Sequence, residues 1–175
     1  MKIFKKILLV VVILIALPFI IAIFVKKDYA IERDIVINKP KAEVFDYVKH
    51  IKNQDTYSVW KMADPAMKKT YKGTDGTVGF VYGWNGNNEV GEGEQEITAI
   101  AEGERVDMDL RFIRPFEGTG HAFMATADAD GGTKVTWGMK GHSAYPMNLM
   151  NLFMGSMLGG AFDEGLTNMK NNLEK

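Results

Sequence analysis

Residues 89–113 read EVGEGEQEITAIAEGERVDMDLRFI, and this stretch decides the fold. Glu102-Gly103 is a turn signal at its centre, and apolar and charged residues alternate on both sides of the turn. If the turn has two residues, Ile97 lies opposite Met108 on an apolar face, and the charged side chains share the other face. One apolar and one polar face predict a strand pair that covers a core on one side only.

The strand pattern continues on both sides of this hairpin, between clusters of Gly, Pro, Asn and Asp that indicate turns. The six strand-like segments are residues 67–72, 77–84, 89–101, 104–113, 119–129 and 133–143. Residues 29–37 are rich in Ile and Val and predict one further strand. Short turns between consecutive strands favour an antiparallel meander over βαβ units. The sequence therefore predicts a curved, seven-stranded antiparallel sheet.

The register of the hairpin can be extended into the two strands that follow it. The pairs that fix this extension are Ile113–Gly120 and Ala129–Thr133. They turn His121 and Phe123 toward the apolar face, together with Trp137 and Met139 of the last strand. The predicted inner face is therefore apolar through four strands, with Gln95 and His121 as its inward polar side chains.

Two helices accompany the predicted sheet. Pro40 begins the first, because proline is favoured at the first helical position, and apolar residues recur at helical spacing through residues 40–52. The second covers residues 147–172 and carries methionines at positions 147, 150, 154 and 157. Since methionine adapts to varied apolar surfaces, this helix is predicted to close the inner face as an adaptable lid. Its glycines at 155, 159 and 160 indicate close approach to the sheet or a bend.

Residues 1–28 form a separate segment. Residues 7–25 carry no charge, and as a helix they span roughly 28 Å, which is about the thickness of a bilayer core. An uncleaved membrane anchor is favoured over a cleaved signal peptide, because the apolar run is long and no small-x-small site follows it. The lysines before and after the run are Lys2, Lys5, Lys6, Lys26 and Lys27. Their slight excess on the N-terminal side predicts that the folded domain, residues 29–175, is extracytoplasmic.

The composition limits the classes of function. A chain of 175 residues suffices for one ordinary domain with an appendage. A net charge of -1 gives no reason to expect nucleic acid, and the absence of cysteine excludes disulfides and thiol chemistry. The three histidines, His50, His121 and His142, show no metal-ligand spacing, so neither a metal nor a cofactor is expected.

Four short motifs carry a resemblance to a known family. They are NKPKAEVFDYV at 38–48, GEGEQEI at 91–97, PFEG at 115–118 and GTKVTW at 132–137. With the order of predicted elements, the chain from residue 29 to 175 resembles the SRPBCC superfamily of START-like proteins, in its polyketide cyclase/dehydrase-like group. The resemblance implies an α+β helix-grip fold whose cavity, between the sheet and the C-terminal helix, accepts hydrophobic ligands. Members include lipid carriers, hormone receptors, aromatase/cyclases and oxygenase domains, and the two-His-one-carboxylate motif of the oxygenases has no match here.

The inner face and the methionine helix together predict the lining of such a cavity. The predicted ligand-binding residues are Phe80, Tyr82, Gln95, Met108, Leu110, Phe112, His121, Phe123, Trp137, Met139, Met150, Met154 and Met157. The same residue types also fill an ordinary core. His121 is the candidate general acid–base, since histidine titrates near neutral pH. The alternative is a histidine at the end of the sheet that bonds to backbone or water.

Three functions are compatible with these patterns. The leading hypothesis is a membrane-anchored module that binds a hydrophobic small molecule or lipid without transforming it. The rival is a cyclase, dehydratase or hydrolase that uses His121 with Gln95 or Tyr82. The third is a structural partner domain at the membrane, with a filled core. The size and lining of the interior distinguish the three.

Overall fold

The structure is a computed structural model that describes residues 2–175; Met1, the first residue of the predicted anchor segment, lies outside the described residues. The α-helices are α1 (Lys2–Phe24), α2 (Lys41–Lys49), α3 (Val59–Met62) and α4 (Asn151–Leu173). The strands are β1 (Asp28–Ile37), β2 (Lys68–Lys72), β3 (Val81–Asn85), β4 (Glu92–Ala101), β5 (Arg105–Arg114), β6 (Gly118–Ala129) and β7 (Gly132–His142). Single 3₁₀ turns, Ile51–Thr56 and Met147–Met150, follow α2 and precede α4.

The strands form one antiparallel sheet in the order β1-β7-β6-β5-β4-β3-β2. Every strand from β2 to β7 pairs with its neighbour in the chain, and β1 closes the sheet by pairing with β7. Helix α4 lies across β1, and α2 packs at the far end of the sheet with Val44, Phe45 and Val48 buried. The predicted helix-grip fold, a curved seven-stranded sheet with a long C-terminal helix, is confirmed.

The central hairpin keeps its predicted inner face although its turn is longer than expected. Ala101 pairs with Arg105, so the turn holds three residues instead of two. Its glycine has a φ of +76°, as expected for a three-residue hairpin turn. A β-bulge between Ile97 and Ala99 absorbs the extra residue. Ile97 therefore still lies opposite Met108 on the buried side.

The predicted pairing of β5 with β6 is wrong by three residues. Asp109 lies opposite His121, and Asp107 lies opposite Phe123. An odd shift exchanges the two faces of a strand, so His121 and Phe123 lie on the outer face of the sheet. The observed register buries Met124, a larger apolar side chain than the alanines of the predicted register.

The predicted register of β6 with β7 is also wrong by an odd number of residues, and this second error returns β7 to its predicted face. The prediction paired Ala129 with Thr133, whereas Ala129 pairs with Gly132. This shift of one residue reverses the faces once more. Trp137 and Met139 are therefore on the inner face and buried, as predicted, and each lies opposite an inward residue of β6.

Helix α4 meets the sheet through its C-terminal half rather than through its methionine-rich start. Phe162, Leu166 and Met169 are fully buried. By contrast, Met147, Met150 and Met157 are exposed, so the predicted methionine lid over the sheet is wrong for these three residues. Met147 and Met150 lie in the 3₁₀ turn before α4, and Met157 lies on the side of α4 opposite the buried Leu166.

Two glycines allow α4 to lie this close. A Cβ at Gly165 would come 2.8 Å from Cζ3 of Trp137, and a Cβ at Gly159 would collide with the guanidinium of Arg33. Arg33 reaches under the helix, where its Nε donates to a carboxylate oxygen of Asp163 at 3.2 Å. Gly160 faces open space. Of the three glycines for which close approach or a bend was predicted, Gly159 approaches the sheet closely, whereas Gly155 and Gly160 do not.

Substitution of these glycines by alanine tests the packing of α4. Gly165→Ala is expected to lower the free energy of unfolding, because overpacking against a buried indole costs about 1–3 kcal/mol. The matched control Gly160→Ala is expected to raise it by about 0.5–1 kcal/mol, since alanine is the better helix former. Chemical denaturation of the full chain in detergent measures both. An equal gain in stability for the two variants would contradict the close approach.

Helix α1 differs from all the other elements in its exposure. Residues Ile3–Phe24 have a mean hydropathy of 3.5 over their most apolar window, of which 6% is buried. The helix is long and apolar enough to cross a membrane, and by this criterion it is either an anchor or a signal sequence.

The end of α1 is bonded to the segment that begins α4. Nδ2 of Asn148 donates to the carbonyls of Ala22 and Val25 at 2.6 and 2.8 Å. Nδ2 of Asn151 donates to the carbonyls of Lys26 and Lys27 at 3.0 and 2.9 Å. The last carbonyls of a helix have no partner within it, so Asn148 satisfies the Ala22 carbonyl of α1, and the two amides together bond the three residues that follow the helix.

Candidate functional site

The space between the sheet and α4 is closed at one end and open at the other. Along β5, Val106 and Met108 are fully buried, whereas Leu110 and Phe112 on the same face are half-buried. The same change occurs along β3, where Tyr82 is fully buried and Trp84 is half-buried. The half-buried residues at this end, which we call the open end, are Tyr29, Trp84, Leu110, Phe112, Met154 and Leu158.

Glycines on three strands create room at the open end. Gly93, Gly120 and Gly141 take inner-face positions on β4, β6 and β7. The Trp84 indole lies over the first of them, and the Tyr29 phenol lies over the third. Trp84 also meets Phe112 edge-on, with ring centroids 6.1 Å apart. Because these positions carry no side chain, the rings of Trp84 and Tyr29 can lie directly on the sheet backbone at the open end.

A cavity of about 600 Å³ lies beside the open end, where α1, β1 and α4 meet. Its lining comprises Ile21, Phe24, Val25, Lys26, Asp28, Tyr29, Ala30, Ile31, Asn151, Leu152 and Gly155. Tyr29 belongs both to this lining and to the open end. This space is a groove that is open to solvent on one side, not an enclosed cavity. A second, more polar cavity of about 900 Å³ extends from Tyr29 across the strand ends to His121 and His142.

Gln95 is buried on the inner face, as predicted. It lies between Tyr82 of β3 and Leu110 of β5. Its Nε2 donates to Sδ of Met108 at 2.9 Å. A thioether is a weak acceptor, so this amide can exchange its present partner for a stronger one at low cost.

Lys61 is a second polar group in the interior, and the sequence did not identify it. Helix α3 directs it over the inner-face aromatic residues, with Nζ 3.5 Å from the ring centroid of Tyr82 and 4.5 Å from that of Trp84. Nζ has no hydrogen-bond partner among the residues that the structure describes. Burial lowers the pKa of Lys61 to about 7, against the opposing effect of the nearby Asp55 carboxylate.

Asp55 connects this region to the edge of the sheet. One carboxylate oxygen accepts a hydrogen bond from the Tyr82 hydroxyl at 2.6 Å, and the other accepts from Nζ of Lys69 at 2.7 Å. Burial raises the pKa of the Tyr82 phenol, and its bond to Asp55 acts in the same direction. The Tyr82 hydroxyl therefore already donates its proton to Asp55, whereas the Lys61 amine has no hydrogen-bond partner among the described residues.

His121 belongs to an ion-pair network on the outer face. Its Nδ1 lies 2.9 Å from Asp109, and its Nε2 lies 3.0 Å from Asp107. Arg105 binds Asp107 at 2.8 Å and covers the Phe123 ring at 3.7 Å. The guanidinium of Arg105 and then His121 hold the pKa of Asp107 below its usual range. The prediction that His121 and Phe123 line the interior is wrong, because the register of β6 turns both outward.

The other predicted ligand-binding residues fall into three groups. Those buried on the inner side are Phe80, Tyr82, Gln95, Met108, Trp137 and Met139. Those half-buried at the open end are Leu110, Phe112 and Met154. Met150 and Met157 are exposed. The structure thus brings nine of the thirteen to the interior; whether they bind a ligand stays a prediction.

Replacing the buried amine tests its environment. Because the pKa of Lys61 is lower in the folded chain than the usual 10.5, the folded protein binds fewer protons between pH 7 and 10.5. The free energy of unfolding should therefore rise with pH in this window, and Lys61→Met should remove that part of the slope. The difference between the two proteins should grow by about 1.4 kcal/mol per pH unit at most. Denaturation between pH 7 and 9.5 measures it; a difference independent of pH would show that Lys61 is not desolvated.

A family model described as "Polyketide cyclase / dehydrase and lipid transport" matches residues 29–174. The match begins where α1 has ended and includes every strand and α4. No curated protein matches the sequence.

Solved structures of low sequence identity share the fold. The crystal structure of Ara h 8.0201 is 15% identical, with a TM-score of 0.59 over 85% of this chain and 99% of that one. Protein CV1439 from Chromobacterium violaceum is 12% identical, with a TM-score of 0.57 over 83% and 97%. DynU16, a protein of the dynemicin biosynthetic locus, is 10% identical, with a TM-score of 0.59 over 83% of this chain and 47% of that one. At these identities the likeness concerns the fold alone.

Proposed function

We propose that this chain, which belongs to the polyketide cyclase/dehydrase and lipid transport family, binds a hydrophobic small molecule or lipid at a membrane surface. The ligand occupies the open end between the sheet and α4. One observation carries the proposal: burial of the inner face decreases along β5, from Val106 to Phe112, and along β3, from Tyr82 to Trp84, toward the end where α1 is attached. An apolar face that becomes more accessible in one direction is suited to a ligand that enters from that direction.

The character of the open end supports a largely apolar ligand. Its half-buried side chains are aromatic or aliphatic, and Met154 and Leu158 give α4 an apolar edge above them. The interior polar groups next to it, Gln95 and Lys61, are weakly bonded or without a partner among the described residues. A ligand with a long apolar part and one polar group would match this arrangement, since few convergent polar groups orient a ligand in an apolar pocket.

Membrane attachment through α1 supports a lipid or a lipid-soluble molecule. The helix is exposed along its apolar length, and an exposed apolar helix is stable in a bilayer rather than in water. We take it as an uncleaved anchor, with residues 29–175 as the folded domain. The lysines before the uncharged run of α1 favour a cytoplasmic N-terminus and an extracytoplasmic domain.

A bulky substitution at the open end tests where the ligand lies. The full chain, purified in detergent, is expected to carry a co-purifying lipophilic molecule that native mass spectrometry detects, and to bind a fluorescent fatty acid. Leu110→Trp should weaken binding by about tenfold or more, because the indole occupies the inner face. The control Ile113→Trp changes an exposed residue of the same strand and should leave binding unchanged.

Two results would contradict the proposal. The first is that the wild-type chain carries no co-purifying lipophilic molecule and does not bind the fluorescent fatty acid. Alternatively, Leu110→Trp and Ile113→Trp could bind the probe equally well, which would place any binding outside the inner face.

A cyclase-like reaction is the second candidate function, and one observation favours it. A neutral amine is a general base, and Lys61 has a pKa of about 7 inside the interior. This assignment replaces His121, which lies on the outer face. If the chain turns over a polyketide-like substrate, Lys61→Met should abolish turnover and His121→Ala should retain it. Loss of activity in His121→Ala with Lys61→Met active would refute this assignment.

A further inference from the structure

The start of α4 presents an apolar surface to solvent. From residue 141 to residue 162 the sequence contains no Asp, Glu, Lys or Arg. Within this stretch five large apolar side chains are between 45% and 58% exposed. These residues, which we call the apolar foot, are Met147, Met150, Leu152, Phe153 and Met157.

The exposed face of α4 changes character along its length. Phe153, Met157, Gly160 and Glu164 follow one another at helical spacing, and all four are exposed. The face is therefore apolar up to Gly160 and polar from Glu164 onward, where Thr167 and Asn171 continue it. The exposed side of a helix in water normally carries polar residues along its whole length. A face that is polar at one end only indicates a boundary between two environments that crosses the helix.

The apolar foot is held against the last turns of α1. Asn148, which directly follows Met147 of the foot, bonds the carbonyls of Ala22 and Val25, and Ala22 is 1% exposed. The Tyr145 hydroxyl reaches the carbonyl of Phe19 at 3.4 Å, which lies inside the uncharged run of α1. The foot thus lies beside residues that would be within, or at the edge of, the hydrocarbon layer.

We propose that the apolar foot enters the interfacial layer of the same bilayer that α1 spans. The lipid surface covers Phe153, Leu152 and Met157, and water begins near Glu164. The cavity of about 600 Å³ would then open at the membrane, because Ile21 and Phe24 of α1 and Leu152 of the foot all line it. An amphiphilic molecule could pass from the leaflet to the open end without crossing water. This inference rests on the proposed function in taking α1 as a membrane span.

Two features select the bilayer over a protein as the occupant. The foot lies beside the end of α1, whose apolar surface is also exposed. Lys26 and Lys27 directly follow α1, as basic residues do where a helix leaves the hydrocarbon. An apolar helical face beside a membrane exit, with aromatic and aliphatic residues at its base, has the composition of an interfacial segment.

Site-specific labelling of the full chain tests the inference, and the chain contains no cysteine of its own. Single variants Phe153→Cys and Met157→Cys are labelled with the fluorophore NBD and reconstituted into phospholipid vesicles with brominated acyl chains. Val78→Cys is the control, because Val78 is 60% exposed in the loop between β2 and β3. Ile13→Cys, in the middle of α1, reports whether α1 lies in the bilayer.

NBD at positions 153 and 157 is expected to show blue-shifted emission and quenching by brominated lipids, whereas NBD at position 78 shows neither. The inference is overturned if 153 and 157 behave like 78 while 13 is quenched, and the anchor then survives. If 13 is not quenched either, the anchor fails as well. Blue-shifted emission at 153 and 157 without lipid quenching would also overturn it, since a second protein copy would then cover the foot.

Discussion

Two asparagines join the end of the N-terminal helix to the start of the C-terminal helix, and the orientation of the ligand space depends on this joint. A helix ends with carbonyls that have no partner within it. Asn148 and Asn151 donate to four carbonyls between Ala22 and Lys27. Because α4 is fixed to β1 by Arg33 and by close packing at Gly159, the joint also fixes the sheet relative to α1. The open end of the fold is consequently the end nearest the membrane helix.

The same arrangement accounts for the gradient of burial in the interior. At the α2 end, helix and sheet interlock, and Val44, Phe45 and Leu166 are fully enclosed. At the α1 end, glycines of the sheet lie under aromatic rings, and α4 contributes only half-buried side chains. One end therefore stabilises the domain by apolar burial, and in the proposed function the other end keeps apolar surface available for a ligand.

Much of the fold could be predicted from the sequence because the strands alternate and their turns are marked by glycine, proline and asparagine. The inner face of the central hairpin was predicted correctly although the predicted turn was one residue too short, since the bulge at Ile97–Ala99 restores the register. Between β5 and β6 no bulge offsets the error in the predicted register. The loop there can close in several registers, and only the burial of Met124 and the pairing of Asp109 with His121 select the observed one. These are contacts between strands, which a single-strand pattern does not encode.

The candidate site was predictable only in part for the same reason. The inward positions of Gln95 and Leu110 were predicted correctly, because the predicted register of β4 with β5 holds there. The position of His121 was predicted wrongly, because the predicted register of β5 with β6 was wrong. Lys61 could not be identified, since a four-residue helix is too short to show a period. Met150 and Met157 were assigned to a lid from their spacing, but spacing defines a face and not its neighbour. In the proposed arrangement these two residues belong to the apolar foot, which faces the membrane and not the sheet.

The most direct test of this account is photocrosslinking of the full chain in a bilayer that contains a lipid with a diazirine near the end of its acyl chain. Peptide mapping by mass spectrometry locates the adducts. If the lipid enters the fold, adducts are expected on the inner-face peptides that carry Leu110 and Phe112, in addition to those on α1, and Leu110→Trp should remove the inner-face adducts. Adducts confined to α1 and the start of α4 would contradict it, because the lipid would then touch the membrane-facing surface without entering the fold.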